Sequence, residues 1–420
     1  MNSRAIEDER VAAQAAARGK PLALAFREPS VRAAMIAIFF FGFSGAATAP
    51  YQSVVGIREL GLANGVYAAL ILLSAAVNVV VSVAVGMLAD RLGRTRSLMI
   101  ATSAFGVVGA ALIYLVPSQA SFVVSGLVFS PVYGAVNGLL FATVRVATDR
   151  LDGDAAGAVN STVRAALSLS WVLVPGLTAL ALTGRASMLP AYLISALAAL
   201  VLLLVIVVML PREARGAARE IGAAVPDRSA LSSILSAGVA LRMIALALVC
   251  SALHVNGAVL PLIVTGAAEG TVADIGIVVG IVAALEVVFI FVWTRIQRRI
   301  NSVRALVAGT VLYAIYLALL GLSTAPWHVY ALTLLSGFAA AALISIPITY
   351  LQDLMRGRPG LGSSLISVNF FMSGGICAAI FAFGTHVTTY GGTSVIGGAA
   401  ALLGGAMLFA LDGRRGAPDV

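Results

Sequence analysis

Two opposite charges lie deep inside long apolar stretches of the sequence and are the residues best placed for chemistry. Arg164 is about eight residues from one end of its stretch and Glu286 about ten from one end of another, so helices would carry them roughly 12 and 15 Å into the apolar region. Charges inside a membrane are costly and are functional candidates by default. Each side chain either binds polar groups of a ligand or, if the two helices face each other, joins the other in an ion pair. Such a pair either forms and breaks or stays fixed and holds the two helices together.

The residues around Arg164 define one face of a helix. Arg164, Ser168, Trp171 and Pro175 recur at i, i+4, i+7 and i+11, which is the spacing of a single helical face. An indole that shares a face with a charge and a hydroxyl is suited to stack on the apolar side of a polar ring. Trp171 therefore lines a cavity or packs against a neighbouring helix, and both readings stay open at this point.

Other polar side chains lie within apolar stretches, and their partner is either a ligand in a cavity or a neighbouring helix. His254 and Asn256 precede Pro261 near the middle of one stretch, and His254 is able to titrate together with Glu286. The remaining candidates for ligand binding are Asn78, Asn137, Asn369 and Gln52, with Tyr133 as a further polar group.

Twelve apolar runs must position these residues. The chain has 420 residues, of which 60% are hydrophobic and 11% charged, whereas a soluble protein carries about 25% charged residues. Runs of about 20 apolar residues cross a bilayer, and they occupy residues 32–55, 65–88, 97–116, 121–146, 157–182, 189–210, 242–264, 274–296, 303–323, 327–351, 361–385 and 392–411. Strand-type alternation is missing, so an outer-membrane barrel is not expected. The predicted fold class is an all-α membrane protein with twelve transmembrane helices.

A long polar stretch divides the runs into two groups of six. We expect, in chain order, a cytoplasmic N-terminal segment at 1–31, a six-helix bundle at 32–210, a cytoplasmic linker at 211–241, a second six-helix bundle at 242–411 and a cytoplasmic tail at 412–420. All but three of the 27 basic residues then fall on the side of the two termini, the exceptions being Arg58, Arg164 and Arg185. This positive-inside bias predicts that both termini are cytoplasmic.

The loops after the second and the eighth runs echo each other. The first reads DRLGRTRSL from Asp90 to Leu98, and the second reads RRINSVRAL from Arg298 to Leu306. Internal repeats of this kind are typical of secondary transporters that are built from two related halves. The two six-helix bundles are therefore expected to be pseudo-symmetric.

Nothing in the sequence supports an enzyme or a nucleic-acid-binding protein. It contains no phosphate-binding P-loop, no metal-ligand cluster and no nucleophile with a base at usable spacing. The net charge of +9 comes from basic loops between apolar runs, and the aromatic-basic interleaving of RNA-binding proteins is missing. We expect no cofactor, no metal and no nucleic-acid partner, but a small-molecule substrate and a monomer in the lipid bilayer.

The segment GMLADRLGRTR, from Gly86 to Arg96, resembles the signature loop of the major facilitator superfamily. It falls between the second and third runs, where that superfamily has it. The resemblance implies that the loop latches the inward side in the outward-open state, with the latch residues Gly86, Asp90, Arg91, Gly93, Arg94 and Arg96. Gln352 and Asp353, at the cytoplasmic end of the tenth run, are expected to be part of an inner gate.

Three further segments resemble the bacterial sugar efflux transporters of that superfamily. They are GFSGAATAPYQSVVGIREL from Gly42, VRAALSLSWVLVPGL from Val163 and YLQDLMRGRPG from Tyr350. The resemblance implies export of sugars or sugar-like molecules across the cytoplasmic (inner) membrane of a bacterium by alternating access, coupled to protons. The alternatives are export of drugs by the same fold, which Val174-Pro175-Gly176 favours, and a membrane receptor that does not transport.

Overall fold

The protein is described here by a computed structural model of residues 28–92, 94–148, 151, 153–211, 237–354 and 359–413. The secondary structure of these residues is helical, with no strand among them. Twelve helices in this part of the chain are long and apolar enough to cross a membrane. The predicted fold class is therefore confirmed, while most of the predicted N-terminal segment, linker and tail lies outside the described residues.

The twelve helices follow the predicted runs within a few residues. We number them α1 to α12 in chain order: Pro29–Glu59, Asn64–Leu92, Thr95–Leu115, Gln119–Thr148, Gly153–Leu182, Pro190–Met209, Ala237–Val264, Val272–Gln297, Ser302–Gly321, Pro326–Leu354, Pro359–Val387 and Tyr390–Asp412. Helix α1 is interrupted by a 3-10 turn at Ala49–Tyr51 and ends in a π-helical turn at Val55–Glu59. Helix α4 contains a second π-helical turn at Ser125–Phe129.

Local chemistry explains where several helices begin. Proline occupies the first turn of α1 and α6, where its missing N–H leaves no backbone partner unsatisfied. Thr271 and Asp274 form a reciprocal capping box at the start of α8, and the Thr389 side chain accepts a hydrogen bond from the Gly392 N–H at the start of α12. These caps satisfy backbone donors that would otherwise be unpaired at the helix ends.

The packing divides the helices into two related halves. In the N-terminal half, α1 packs against α4, α5 and α6, and in the C-terminal half its counterpart α7 packs against α10, α11 and α12. Among the described residues, the halves meet mainly through two helix pairs, α5 with α8 and α2 with α11. The pseudo-symmetry that relates α1 to α7 exchanges these two pairs. Equivalent helices of the two halves also share a similar contact. Arg96 donates to the Val207 carbonyl at the end of α6 (2.7 Å), and Arg304 donates to the Gly413 carbonyl just after α12 (2.9 Å).

The halves are held together at one end of the bundle, which we call the closed end. It carries the connections 60–63, 116–118, 183–189, 265–271, 322–325 and 388–389. Here Gly276 of α8 lies against the Pro175 carbonyl and the Ala179 methyl group of α5. Further along α5, Ser168 and Arg164 continue the face that carries Pro175, and both are exposed. This face of α5 is thus uncovered towards the opposite end, which we call the open end.

A buried carboxylate fastens the helices of the C-terminal half at the open end. Asp412, whose side chain is 3% exposed, accepts two hydrogen bonds from the Arg242 guanidinium at 2.7 and 2.8 Å. The Tyr350 hydroxyl donates a third at 2.7 Å. The cluster joins α7, α10 and α12, so these helices are expected to move as one body.

An Arg242→Ala variant is expected to lose about 3 kcal/mol of unfolding free energy, because the buried Asp412 carboxylate would lose its two hydrogen bonds from the Arg242 guanidinium. Thermal unfolding of the purified protein in detergent measures the effect. Arg295→Ala is the matched control, since Arg295 is an exposed arginine near the end of α8, and it should change stability by no more than about 0.5 kcal/mol. Equal stability of the two variants would refute the role of the cluster.

Candidate functional site

A cavity of about 420 Å³ lies between the two halves, next to the closed end. Six helices of the N-terminal half supply most of its wall. Among the described residues, the C-terminal half contributes three to the wall, His254 of α7 with Phe370 and Gly374 of α11. The cavity is therefore built mainly by one half and covered by the other.

The lining of the cavity is uncharged and combines a largely apolar wall with hydrogen-bonding groups. None of the described residues that line it is Asp, Glu, Lys or Arg. Hydroxyl groups come from Ser44, Thr48, Ser74, Ser125, Ser130 and Ser195, and carboxamides from Gln52 and Asn78. Aromatic rings complete the wall, from Tyr67, Phe105, Phe122, Tyr133, Trp171, Tyr192 and Phe370. Such a wall suits a neutral ligand that has both hydrogen-bonding groups and an apolar face.

Four of the predicted site residues line this cavity: Gln52, Asn78, Trp171 and His254. The Trp171 side chain is 39% exposed and stands opposite Gly45 of α1, where an added Cβ would lie 3.8 Å from the indole. The His254 ring packs edge-on against Phe370, with 4.8 Å between ring centroids. If its Nδ1–H donates to the Cys250 carbonyl at 3.2 Å, Nε2 is left as an acceptor.

The two deep charges lie outside the cavity wall and are not paired with each other. The Arg164 guanidinium lies over the ring of Phe141 of α4, at 5.4 Å from its centroid. Glu286 of α8 is half-buried. Among the described residues, no ion pair or hydrogen bond joins Arg164 to Glu286. The pairing of these charges stays a prediction for another conformation.

The other predicted polar residues are placed differently. Asn256 accepts a hydrogen bond from the Tyr316 hydroxyl at 2.9 Å, so it joins α7 to α9, which is the helix-packing alternative. Asn137 and Asn369 each have a buried Oδ1 atom without a hydrogen-bond partner among the described residues. Ser168 is exposed on the face of α5 that also carries Arg164. None of these four lines the cavity.

Several residues of the site carry no signal in the sequence. Tyr192 and Phe122 pack together in the cavity wall, with 6.4 Å between ring centroids, and Ser44 and Ser195 share a hydrogen bond of 2.8 Å beside them. The sequence does not show whether an aromatic or small residue in an apolar run faces lipid, a neighbouring helix or a cavity. A cavity-facing position becomes visible only when the helices are packed.

The closed end is sealed by hydrogen bonds between the halves. Arg58, in the π-helical end of α1, donates to the Thr265 hydroxyl at 2.6 Å and to the Leu262 carbonyl at 2.7 Å. The Tyr390 hydroxyl of α12 donates to Asn64 at the start of α2 (3.0 Å). The Leu262 carbonyl belongs to the last turn of α7, where a cation is favourable. Arg58 therefore links the two halves at the closed end, whereas the sequence showed it only as an isolated loop charge.

The predicted latch residues lie at the open end. Gly86 has open space around it, and Arg91 and Arg94 are exposed. The Arg96 guanidinium donates a hydrogen bond to the Val207 carbonyl of its own half. The Asp90 side chain and Gly93 lie outside the described residues. Gln352 and Asp353 are exposed near the end of α10, so the latch and the inner gate remain predictions.

Two related six-helix halves around a central uncharged cavity, joined at one end, are the architecture of many secondary transporters. Residues 35–267 match the family model of the Major Facilitator Superfamily, and the chain belongs to this superfamily. It is a membrane transporter and not an enzyme.

Relatives with curated names cover most of the chain. A protein of Deinococcus radiodurans, whose name assigns it provisionally to the sugar efflux transporters, is 26% identical over 333 residues, which are 79% of this chain and 85% of that protein. Sugar efflux transporter A of Dickeya chrysanthemi is 26% identical over 360 residues, which are 83% of this chain and 89% of that protein. The predicted resemblance to this group of transporters is thereby confirmed.

The fold is also found among solved structures. A crystal structure of a variant of the nucleoside transporter NupG superposes with a TM-score of 0.75 and 13% identity, over 91% of this chain and 100% of that one. A peptide transporter of the POT type superposes with a TM-score of 0.72 and 14% identity, over 92% of this chain and 95% of that one. At this level of identity the likeness shows the fold alone.

Proposed function

We propose that the protein exports sugars or sugar-like small molecules from a bacterium by alternating access, in exchange for protons. The observation that carries the proposal is the uncharged cavity between the halves, whose wall combines aromatic rings with hydroxyl and carboxamide groups. A sugar presents hydroxyl groups around its rim and apolar C–H groups on its faces, so this wall complements it. The names of the relatives from Deinococcus and Dickeya point to the same class of substrate.

The open end is assigned to the cytoplasm. Basic residues concentrate there, including Arg91, Arg94, Arg145, Arg298 and Arg299, whereas the closed end carries Arg58 and Arg185. The positive-inside rule then makes both termini cytoplasmic. In this orientation the cavity is sealed towards the outside and belongs to the inward-facing state, in which an exporter loads its cargo.

Five residues of the cavity wall and the two deep charges have separate roles in this proposal. The Trp171 indole stacks on the apolar face of the sugar ring, and Gln52 and Asn78 bind its hydroxyl groups. His254 and Phe370 close the site from the C-terminal half. Glu286, a carboxyl inside the membrane region without a cation partner among the described residues, carries the exchanged proton. Arg164 pairs with it in the state in which the open end closes.

A second candidate function is export of amphipathic drugs by the same cavity. The rings of Phe105, Phe122 and Phe370 in its wall favour this alternative. Cells that produce the protein separate the two, since they can be loaded with a labelled thiogalactoside or with a fluorescent dye. Faster efflux of the thiogalactoside supports sugar export, and faster efflux of the dye alone supports drug export.

A Trp171→Ala variant is expected to slow thiogalactoside efflux about tenfold, which corresponds to about 1.4 kcal/mol of lost binding. Trp171→Phe should be intermediate, because it keeps a ring in the wall. Leu173→Ala is the matched control, since Leu173 is exposed on the same helix but does not line the cavity. Equal efflux by all three variants would remove Trp171 from the substrate site.

A further inference from the structure

A carboxamide in the cavity wall has its hydrogen-bonding capacity unused. Asn78 of α2 is half-buried and lines the cavity. No hydrogen bond to it is formed by any of the described residues, although the neighbouring Ser74 hydroxyl donates to the Gly126 carbonyl at 2.8 Å. An amide with one acceptor and two donors facing a cavity is well suited to hold a polar ligand.

The Asn78 amide lies directly on a glycine of the facing helix. A Cβ atom added to Gly134 of α4 would lie 2.6 Å from Asn78 Nδ2 and 3.8 Å from its Cγ. The first distance is far below van der Waals contact, so even a methyl group at this position has to displace the amide. One turn further along α4, a Cβ added to Gly138 would meet nothing within 4 Å. The close approach is therefore local to Gly134 and Asn78, and it is the Asn78 amide that an added methyl group would displace.

We propose that Gly134 is a positioning residue whose missing side chain seats the Asn78 carboxamide in the cavity wall, where it reads the hydroxyl groups of a neutral ligand. This inference rests on the proposed function, because it takes the ligand to be a sugar or a sugar-like molecule. A carboxamide offers a donor and an acceptor side by side, which matches two adjacent hydroxyl groups. The absence of Asp, Glu, Lys and Arg from the described cavity wall fits a ligand without net charge.

Binding of a radiolabelled thiogalactoside to the purified full-length protein tests whether Gly134 positions the Asn78 carboxamide. Gly134→Ala is expected to weaken binding about tenfold, whereas Gly138→Ala, the same change on the same helix, should stay within about twofold of the wild type. The decisive comparison is made in an Asn78→Ala background, where Gly134→Ala should have no further effect. A tenfold loss that persists without Asn78 would mean that Gly134 acts by helix packing, and the inference would be wrong.

A ligand-free measurement keeps the test separate from the proposed function. In protein labelled with [15N]asparagine, the side-chain amide signals of Asn78 can be assigned by their loss in Asn78→Ala, among the eight asparagines of the chain. Gly134→Ala should shift these signals and Gly138→Ala should not. Unshifted signals in Gly134→Ala would mean that Gly134 does not position the Asn78 amide, and the inference would be wrong. If the wild-type protein binds no thiogalactoside while Gly134→Ala still shifts the Asn78 signals, the proposed function is overturned and the positioning role of Gly134 stands.

Discussion

A Gly276→Val variant is expected to lose at least about 99% of net transport. The contact between α5 and α8 at the closed end leaves no room for a side chain at this position. An added Cβ would overlap the Pro175 carbonyl and the Tyr51 hydroxyl, and would lie 2.7 Å from the Ala179 methyl group. Two of these neighbours are backbone or densely packed atoms that have little room to move. Moving an equilibrium from 99:1 to 1:99 takes about 5.5 kcal/mol, which a clash of several atoms can supply. The variant should therefore be held in the alternative state, in which α5 and α8 separate at this end of the bundle.

Two measurements check this prediction. Flux in reconstituted vesicles should be lost, while a cysteine introduced at Thr48 in the cavity should react faster with a reagent added from the closed-end side. Gly65→Val is the matched control, because Gly65 lies at the same end of the molecule with no atom within 4 Å of its Cβ position. Normal flux in Gly276→Val, or unchanged labelling, would show that the contact between α5 and α8 does not gate the cavity.

A Glu286→Gln variant should abolish the effect of a pH gradient on sugar flux, a loss of at least about tenfold in gradient-driven transport. The amide has nearly the same shape as the carboxyl group but cannot take up and release a proton. Flux down a sugar gradient alone should persist, because Glu286 does not line the cavity. This split distinguishes a proton carrier from a residue that binds the sugar.

The control for this variant is Glu269→Gln, which changes an exposed glutamate in the connection between α7 and α8. It should transport like the wild type with and without a pH gradient. Gradient-driven transport that survives in Glu286→Gln would remove this residue from the coupling mechanism and leave the sugar site untouched.

Much of the fold could be predicted because the bilayer restricts the possible solutions. Backbone groups in lipid must be satisfied within a helix, so the length of an apolar run fixes a transmembrane helix. The run predicted at 97–116 is the helix Thr95–Leu115, and the run predicted at 303–323 is Ser302–Gly321. The first run was predicted at 32–55, but α1 extends to Glu59 because a π-helical turn carries the polar Arg58 to the interface between the halves.

The site was harder to predict, because hydropathy does not tell which face of a helix meets a cavity. Trp171 and Asn78 stood out as polar or amphipathic residues in apolar runs, and both line the cavity. Asn256 stood out in the same way but bonds Tyr316 of a neighbouring helix. Arg58 was missed because its partners, Leu262 and Thr265, are more than 200 positions away in the sequence. Gly134 was missed because its proposed role depends on the room that its missing side chain leaves for Asn78 of another helix.

Flux of a radiolabelled thiogalactoside in vesicles reconstituted with the purified protein tests the central claim most directly. We expect sugar to cross the membrane only when the protein is present, faster with an opposing pH gradient than without one, and about tenfold more slowly in Trp171→Ala. Thiogalactoside that binds without crossing, or flux that is indifferent both to the proton gradient and to the cavity substitution, would contradict proton-coupled export through this cavity.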